Sequence, residues 1–332
     1  MRAIVVQEFG PIDSHRLEEL PDPEPGPGEV LVATRAIGIN FPDALMLEGK
    51  YQSKPESLPF VPGRDASGVV EAVGDGVTRF KPGDAVTVQV FSGAFAEKIA
   101  APEERCFGVP DGMEFAPAAA MITTYRTAYM ALVIRGQIQP GETALVTGAA
   151  GGVGVAALQL LKAKGATAIA AVSTPEKAAF ARENGADHVI TTNHDDLKQA
   201  FRNQIEEITG VSAGRGCDLV IDMVGGDVFE ASLRVLKFAG RLIIVGFAGG
   251  QIPAAKANYL LFNNLTVMGA PLDIHFKYAY PAMERGIAEM SELYLEGKLK
   301  PGATETFPLD EFKAAFARIT GRGVMGNIVL VP

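Results

Sequence analysis

Two rhythms of apolar and polar positions divide the chain. Through residues 1–120, short β-branched stretches at 29–37, 68–73 and 85–90 are separated by Gly and Pro turns, the texture of a β-rich domain. Pro21, Pro23, Pro25 and Pro27 fall on alternate positions and remove backbone donors, so that segment reads as an extended surface connection and not as a central strand. From about Glu114 the texture turns Ala-rich and helical. Strand-length apolar runs then alternate with helical ones: strand 143–147, helix 153–163, strand 168–172, helix 176–183, strand 188–191 and helix 195–207. The series continues with strand 218–222, helix 228–236 and strands 241–245 and 265–269. This alternation predicts βαβ units and an α/β, doubly wound parallel sheet. Helical spacing at 279–296 and 309–319 and a strand at 326–331 predict closing elements that rejoin the first domain.

The uncharged run 143–161 has the length of a membrane span, but glycines and threonines interrupt it, and a strand, a glycine turn and a buried helix account for it better. With 48% hydrophobic and 21% charged residues the composition is that of a soluble globular chain. Lys plus Arg number 30 against 39 Asp plus Glu, and a net charge of −9 speaks against nucleic acid or an anionic membrane as the main partner. Only Cys106 and Cys217 are present, which excludes a disulfide framework and fits a reducing, cytoplasmic setting. The opening MRAIVVQEFG lacks the basic and apolar regions of a signal peptide. No fixed-period repeat or low-complexity tail is present.

The chemistry begins at a glycine run, with Gly148, Gly151 and Gly154 three apart and Ala150, Gly152 and Val153 between them. It follows a predicted strand and opens a predicted helix. Small residues there let the backbone approach a pyrophosphate, and the helix start supplies unpaired N–H donors; a tight packing turn is the alternative reading. At the end of the next strand, where NAD enzymes place an acid for the ribose hydroxyls, stand Ser173 and Thr174, with Lys177 close behind. Hydroxyls and a lysine suit a 2′-phosphate, so NADPH is the expected cofactor, although Lys177 equally fits a solvated helix position.

Residues 63–86, GRDASGVVEAVGDGVTRFKPGDAV, carry a spaced pattern of Gly, Asp and Val, and Asn40, Asp43, Gly49 and Tyr51 form an NxxDxxxxxGxY segment. With the Thr127-Ala128 end of a helix at 117–128 and the DLVIDMVGG run at 218–226, these segments resemble the medium-chain dehydrogenase/reductase superfamily, in particular its zinc-independent, zeta-crystallin-like quinone oxidoreductase branch. The resemblance covers nearly the whole chain. It implies a GroES-like domain from 1–122 and 270–332, a Rossmann domain from 123–269, and an active cleft between them. It also implies that Thr127 approaches the nicotinamide, that Val245, Gly246 and Phe247 border the cofactor, and that Thr192 lies near the adenosine.

Zinc-dependent relatives offer thiolate, imidazole and carboxylate ligands; here those places hold Asn40, Arg64 with Asp65, and about Thr123. An amide and a guanidinium cannot build that site, and His15, His188, His194 and His275 have no ligand spacing. A carbonyl acceptor must then be polarised by hydrogen-bond donors, for which Tyr51 and Asn40 are the candidates; the structural alternative is that Tyr51 caps a loop and Asn40 orders its own turn. Asp43 is expected to order the loop. One departure is Gly326-Asn327, where the family often has Gly-Lys, with Arg322 a possible substitute.

The expected function is therefore zinc-independent, NADPH-dependent reduction of quinones or small α,β-unsaturated carbonyls. The alternatives are an enoyl-thioester reductase and, outside catalysis, an NADPH-binding structural or regulatory protein. A methyltransferase is weaker still, since its glycine loop is usually followed by an acid after the second strand. Edge pairing through the strand at 265–269 predicts a homodimer.

Overall fold

Buried positions dominate the strands that close one end of the chain onto the other. The computed structural model describes every residue except Glu56 and Arg322, together with the side chain of Ala303; the substitution considered at Arg322 thus lies outside the described residues. Contacts divide the chain into two units, Met1–Thr123 with Pro301–Pro332, and Thr124–Lys300. In chain order the first stretch holds β1 (Arg2–Val5), β2 (Arg16–Glu19), β3 (Glu29–Ile39), α1 (Phe41–Leu47), β4 (Asp65–Val73), β5 (Ala85–Gln89), β6 (Lys98–Pro102), β7 (Cys106–Gly108) and α2 (Phe115–Tyr129). The parallel region holds β8 (Thr143–Thr147), α3 (Gly152–Ala163), β9 (Thr167–Val172), α4 (Pro175–Glu183), β10 (His188–Thr191), α5 (Leu197–Thr209), β11 (Cys217–Asp222) and α6 (Gly226–Arg234). It continues through β12 (Leu236–Ile244), α7 (Ala257–Asn263), β13 (Thr266–Gly269), α8 (Leu272–Tyr278) and α9 (Tyr280–Leu295), and the chain ends with β14 (Ala303–Pro308), α10 (Phe312–Thr320) and β15 (Asn327–Val331).

In the first unit, β14-β15-β3-β4-β5-β7 form one sheet and β6 adds to β3. Val30, Val32, Val70, Val86 and Val88 are buried together on one side of these strands, the β-branched packing that the alternating sequence predicts. A second cluster joins Ile37, Ile39 and Leu47 to Phe312, Phe316 and Ile328, so α10 and β15 complete this core from the far end of the chain.

In the second unit the sheet is wholly parallel in the order β10-β9-β8-β11-β12-β13. The order reverses between β8 and β11, the topological switch point of a doubly wound sheet, outside whose strand C-termini ligands bind. Leu145, Ile169, Ile190, Val220 and Leu242, one from each of five adjacent strands, are buried in a core with Phe201 and Ile205 of α5 and Phe229 of α6. The uncharged run 143–161 resolves into β8, a glycine turn and α3. Among the described residues no helix is long and apolar enough to cross a membrane.

By contacts the chain returns to the first unit at Pro301, whereas the sequence reading makes that return at 270. The reason is α9: Tyr129 donates to Glu289 at 2.5 Å, Lys164 pairs with the same carboxylate, and a Cβ at Gly286 would lie 2.6 Å from the Tyr129 ring. Amphipathic spacing reveals such a helix but not which core it covers.

Candidate functional site

The glycine turn between β8 and α3 holds three glycines in three different settings. Gly148 has φ +62°, a left-handed conformation that favours glycine. Gly154 is buried, and a Cβ there would lie 2.4 Å from the Gly148 carbonyl, so close packing of helix on turn excludes any side chain. Gly151 meets neither condition: its φ is −81°, and a Cβ would meet only the Gly148 carbonyl at 3.5 Å. Neither the backbone conformation nor internal packing therefore requires glycine at 151. Gly152 and Val153 are half-buried beside it, and Ala150 is buried beneath.

The strand ends around this turn are fixed by Asp222, which is wholly buried. Thr147 donates its hydroxyl to Asp222 Oδ1 at 2.6 Å, and the backbone N–H groups of Val224 and Gly225 donate to the same carboxyl at 3.2 and 3.1 Å. Burial raises the carboxyl above the usual range while these donors hold it down. The Asp222 carbonyl accepts from Val245 N at 2.8 Å and from Gly246 N at 3.4 Å, which brings Val245, Gly246 and Phe247 to the C-terminal edge next to the turn. Thr192 lies on that edge too, since its N–H bonds the Val172 carbonyl at 2.9 Å. Exposed Ser173 follows β9 directly, and Thr174 caps α4 by accepting from Lys177 N at 3.3 Å. Thus the glycine turn, Ser173, Thr174, Lys177, Thr192 and 245–247 gather along one edge of one sheet. Thr127 is buried within α2.

The first unit holds a second constellation. Asn40 caps α1; its N–H donates to Asp43 Oδ2 at 2.7 Å, and its side-chain Nδ2 donates to Asp65 Oδ2 at 2.8 Å. Asp65 also accepts from Thr123 N at 3.1 Å and from Thr123 Oγ1 at 2.9 Å, and Gln89 donates to Thr123 Oγ1 at 3.1 Å. Arg64 is 6% exposed; its Nε is 3.9 Å from Asp43 Oδ1 and its guanidinium lies 4.7 Å from the Tyr51 ring centroid. Burial pushes the Asp43 carboxyl up to about 7, against the pull of Arg64 and of the Asn40 N–H. Asn40 and Tyr51 therefore belong to one cluster, joined through Asp43 and Arg64. Sequence reasoning passed over Gln89 and Asp222; an acid closing the apolar run 219–221 shortly before Gly225-Gly226 is the signal that could have found Asp222.

Residues 26–111 match the alcohol dehydrogenase GroES-like domain model, and residues 152–284 match the zinc-binding dehydrogenase model. Quinone oxidoreductase-like protein 2 of Bos taurus is 37% identical over 95% of this chain and 88% of its own length. The human synaptic vesicle membrane protein VAT-1 homolog is 32% identical, covering 100% of this chain and 86% of its own. The crystal structure of Escherichia coli quinone oxidoreductase complexed with NADPH superposes with a TM-score of 0.91 at 30% identity, covering both chains completely.

A zinc-binding dehydrogenase holds its metal with thiolate, imidazole or carboxylate ligands. Asn40 and Arg64 supply an amide and a guanidinium, and both Asp65 oxygens already accept hydrogen bonds. Among the described residues no group of three His, Cys, Asp or Glu could hold a metal ion, so the donor set does not fit zinc. With a GroES-like domain joined to a Rossmann sheet and relatives matched along its whole length, the chain belongs to the medium-chain dehydrogenase/reductase superfamily of oxidoreductases, in its quinone oxidoreductase branch.

Proposed function

We propose that the chain is an NADPH-dependent reductase of quinones or small α,β-unsaturated carbonyls that polarises its acceptor with hydrogen-bond donors and no metal. The observation that carries this reading is the Asn40, Asp65 and Thr123 set, in which the places of metal ligands are taken by groups bonded to one another. A neighbour solved with NADPH and relatives named quinone oxidoreductase-like support the cofactor and the reaction class. In this reading Gly148, Ala150, Gly151, Gly152, Val153 and Gly154 cradle the pyrophosphate, and Ser173, Thr174 and Lys177 face the 2′-phosphate. Thr192 lies by the adenosine, while Thr127 and the Val245, Gly246 and Phe247 backbone border the nicotinamide side.

NADPH, when bound, supplies the hydride. The protein's own part is to stabilise the charge that develops on the acceptor oxygen. Tyr51 donates its phenol hydroxyl to that oxygen and then releases the proton; Asn40, which spends one amide N–H on Asp65, offers its second. The protein works as a cytoplasmic homodimer paired through β13.

Steady-state oxidation of NADPH with a panel of quinones and enones tests this. Turnover is expected, with Tyr51→Phe losing on the order of 100-fold in kcat while keeping NADPH affinity. Tight NADPH binding with no turnover on any acceptor overturns the reading in favour of a binding protein, the role that similarity to a synaptic vesicle membrane protein homolog leaves open. Crotonyl thioesters reduced far faster than free enones assign enoyl-thioester reduction instead.

A further inference from the structure

Arg64 brings a full positive charge to a 6% exposed position just ahead of β4, where a charge must be compensated. Among the described residues, Tyr51, Phe91 and Asp43 stand close to its guanidinium. The Tyr51 ring centroid lies 4.7 Å away, the Phe91 centroid lies 5.4 Å away, and Asp43 Oδ1 stands 3.9 Å from Nε. The last distance is too long for a directed hydrogen bond, so Asp43 in its ionised form tethers Arg64 by charge, while the two rings accept a planar, weakly hydrated cation against their faces. Asp43 is itself fixed by the Asn40 N–H at 2.7 Å, and the Tyr51 main chain is anchored on α1 through its N–H to the Leu45 carbonyl at 3.1 Å. A continuous chain of contacts thus runs from the cap of α1 through Asp43 and Arg64 to the Tyr51 ring.

We propose that Arg64 is a positioning residue for Tyr51: its guanidinium, tethered by Asp43, holds the phenol ring in place and favours the electron-rich ring that remains when the hydroxyl gives up its proton. The proposal rests on the reading of Tyr51 as the donor. In that step the O–H bond of Tyr51 breaks, the proton passes to the acceptor oxygen, and the phenolate stands beside Arg64 until solvent reprotonates it. A cation attracts a negatively charged ring more strongly than a neutral one, so the interaction grows along the reaction. Lysine keeps the charge but not the planar face, so it should replace arginine only in part.

The test compares Arg64→Met and Arg64→Lys, each alone and with Tyr51→Phe, in kcat, in NADPH affinity and in the NMR signal of ring-labelled Tyr51. Arg64→Met is expected to lower kcat on the order of 10–100-fold at unchanged NADPH affinity, to shift the Tyr51 signal and to speed its ring flips. Arg64→Lys should recover part of that loss, and Arg64→Met should add little once Tyr51 is Phe. An equal loss with and without Tyr51, or an unmoved Tyr51 signal, overturns the proposal. If Tyr51→Phe itself leaves kcat intact, the donor reading falls, and the Tyr51 signal alone decides whether Arg64 holds the ring. If Arg64→Met fails to fold because Asp43 loses its counter-charge, the pair Arg64→Met with Asp43→Asn, set against Asp43→Asn alone, makes the same comparison.

Discussion

Asp43 links the helix cap, the buried arginine and the pH response of the first unit. Its carboxyl is completely buried, and desolvation pushes it up to about 7 although Arg64 and the Asn40 N–H both favour the charged form. Because the folded value lies above the unfolded one, the native chain keeps a proton that the unfolded chain releases. The resulting stability is full below the unfolded value of about 4 and is lost as pH rises toward about 7, after which the contribution is level. Asp43→Asn retains the side-chain acceptor for the Asn40 N–H and removes the titration. Unfolding free energies from denaturant titrations should therefore fall between about pH 5 and about pH 8 by about 2–3 kcal/mol more in the parent than in the variant. Equal slopes in the two proteins would refute the assignment. The sequence motif identifies Asp43 as a loop-ordering acid, and a buried cap is what the structure contains. Arg64 is legible in sequence only as a side chain unable to bind zinc, because Tyr51 and Phe91 reach it from other segments of the chain and no local period records them.

At the scale of elements, the turn joining β8 to α3 separates a folding requirement from a binding one. Gly154→Ala would place a Cβ 2.4 Å from the Gly148 carbonyl, a backbone atom that cannot rotate away, so the turn or the helix must shift. A loss of about 1–3 kcal/mol in stability is expected, read as a lower melting temperature without ligand. Gly151→Ala meets only an ordinary contact at 3.5 Å and should melt near the parent temperature, yet if the turn cradles the pyrophosphate as proposed, the methyl should weaken NADPH binding on the order of 10-fold or more. Similar melting losses for both variants, with NADPH binding unchanged in Gly151→Ala, would make this a packing turn alone. The same region shows why much of the second unit is readable from sequence. Its strands are buried β-branched or alanine runs bounded by glycine, and 143–147 and 188–191 coincide with β8 and β10. The reading fails at β12, where a helix expected through 236 already ends at Arg234. Leu236 pairs with Cys217, and the strand then bulges near Ala239, whose φ is +60°. It also passes over α7 and α8, seven-residue helices too short to display a period.

The whole molecule carries an unsatisfied edge. β13 ends the parallel sheet, pairing with β12 on one side, and among the described residues no strand pairs with its other side. Parallel strands are normally covered on both faces and at their edges, and an open edge invites another copy. Large apolar side chains stand exposed in the elements leading to it: Phe238 on β12 is 77% exposed, and Leu261 and Phe262 on α7 are 76% and 82% exposed. Exposed aromatic and leucine side chains on the elements that lead to an open edge fit a self-complementary surface, as a two-fold dimer requires. Light scattering at micromolar concentration is expected to report twice the 35.0 kDa chain mass. Phe262→Lys, which puts a charge where burial is proposed, should shift the population toward monomer while leaving NADPH binding intact, since the glycine turn belongs to β8 and α3 at the middle of the sheet. A parent that scatters as a monomer would show that the edge is left open in solution, and an unaltered dimer in Phe262→Lys would place the contact elsewhere on the chain.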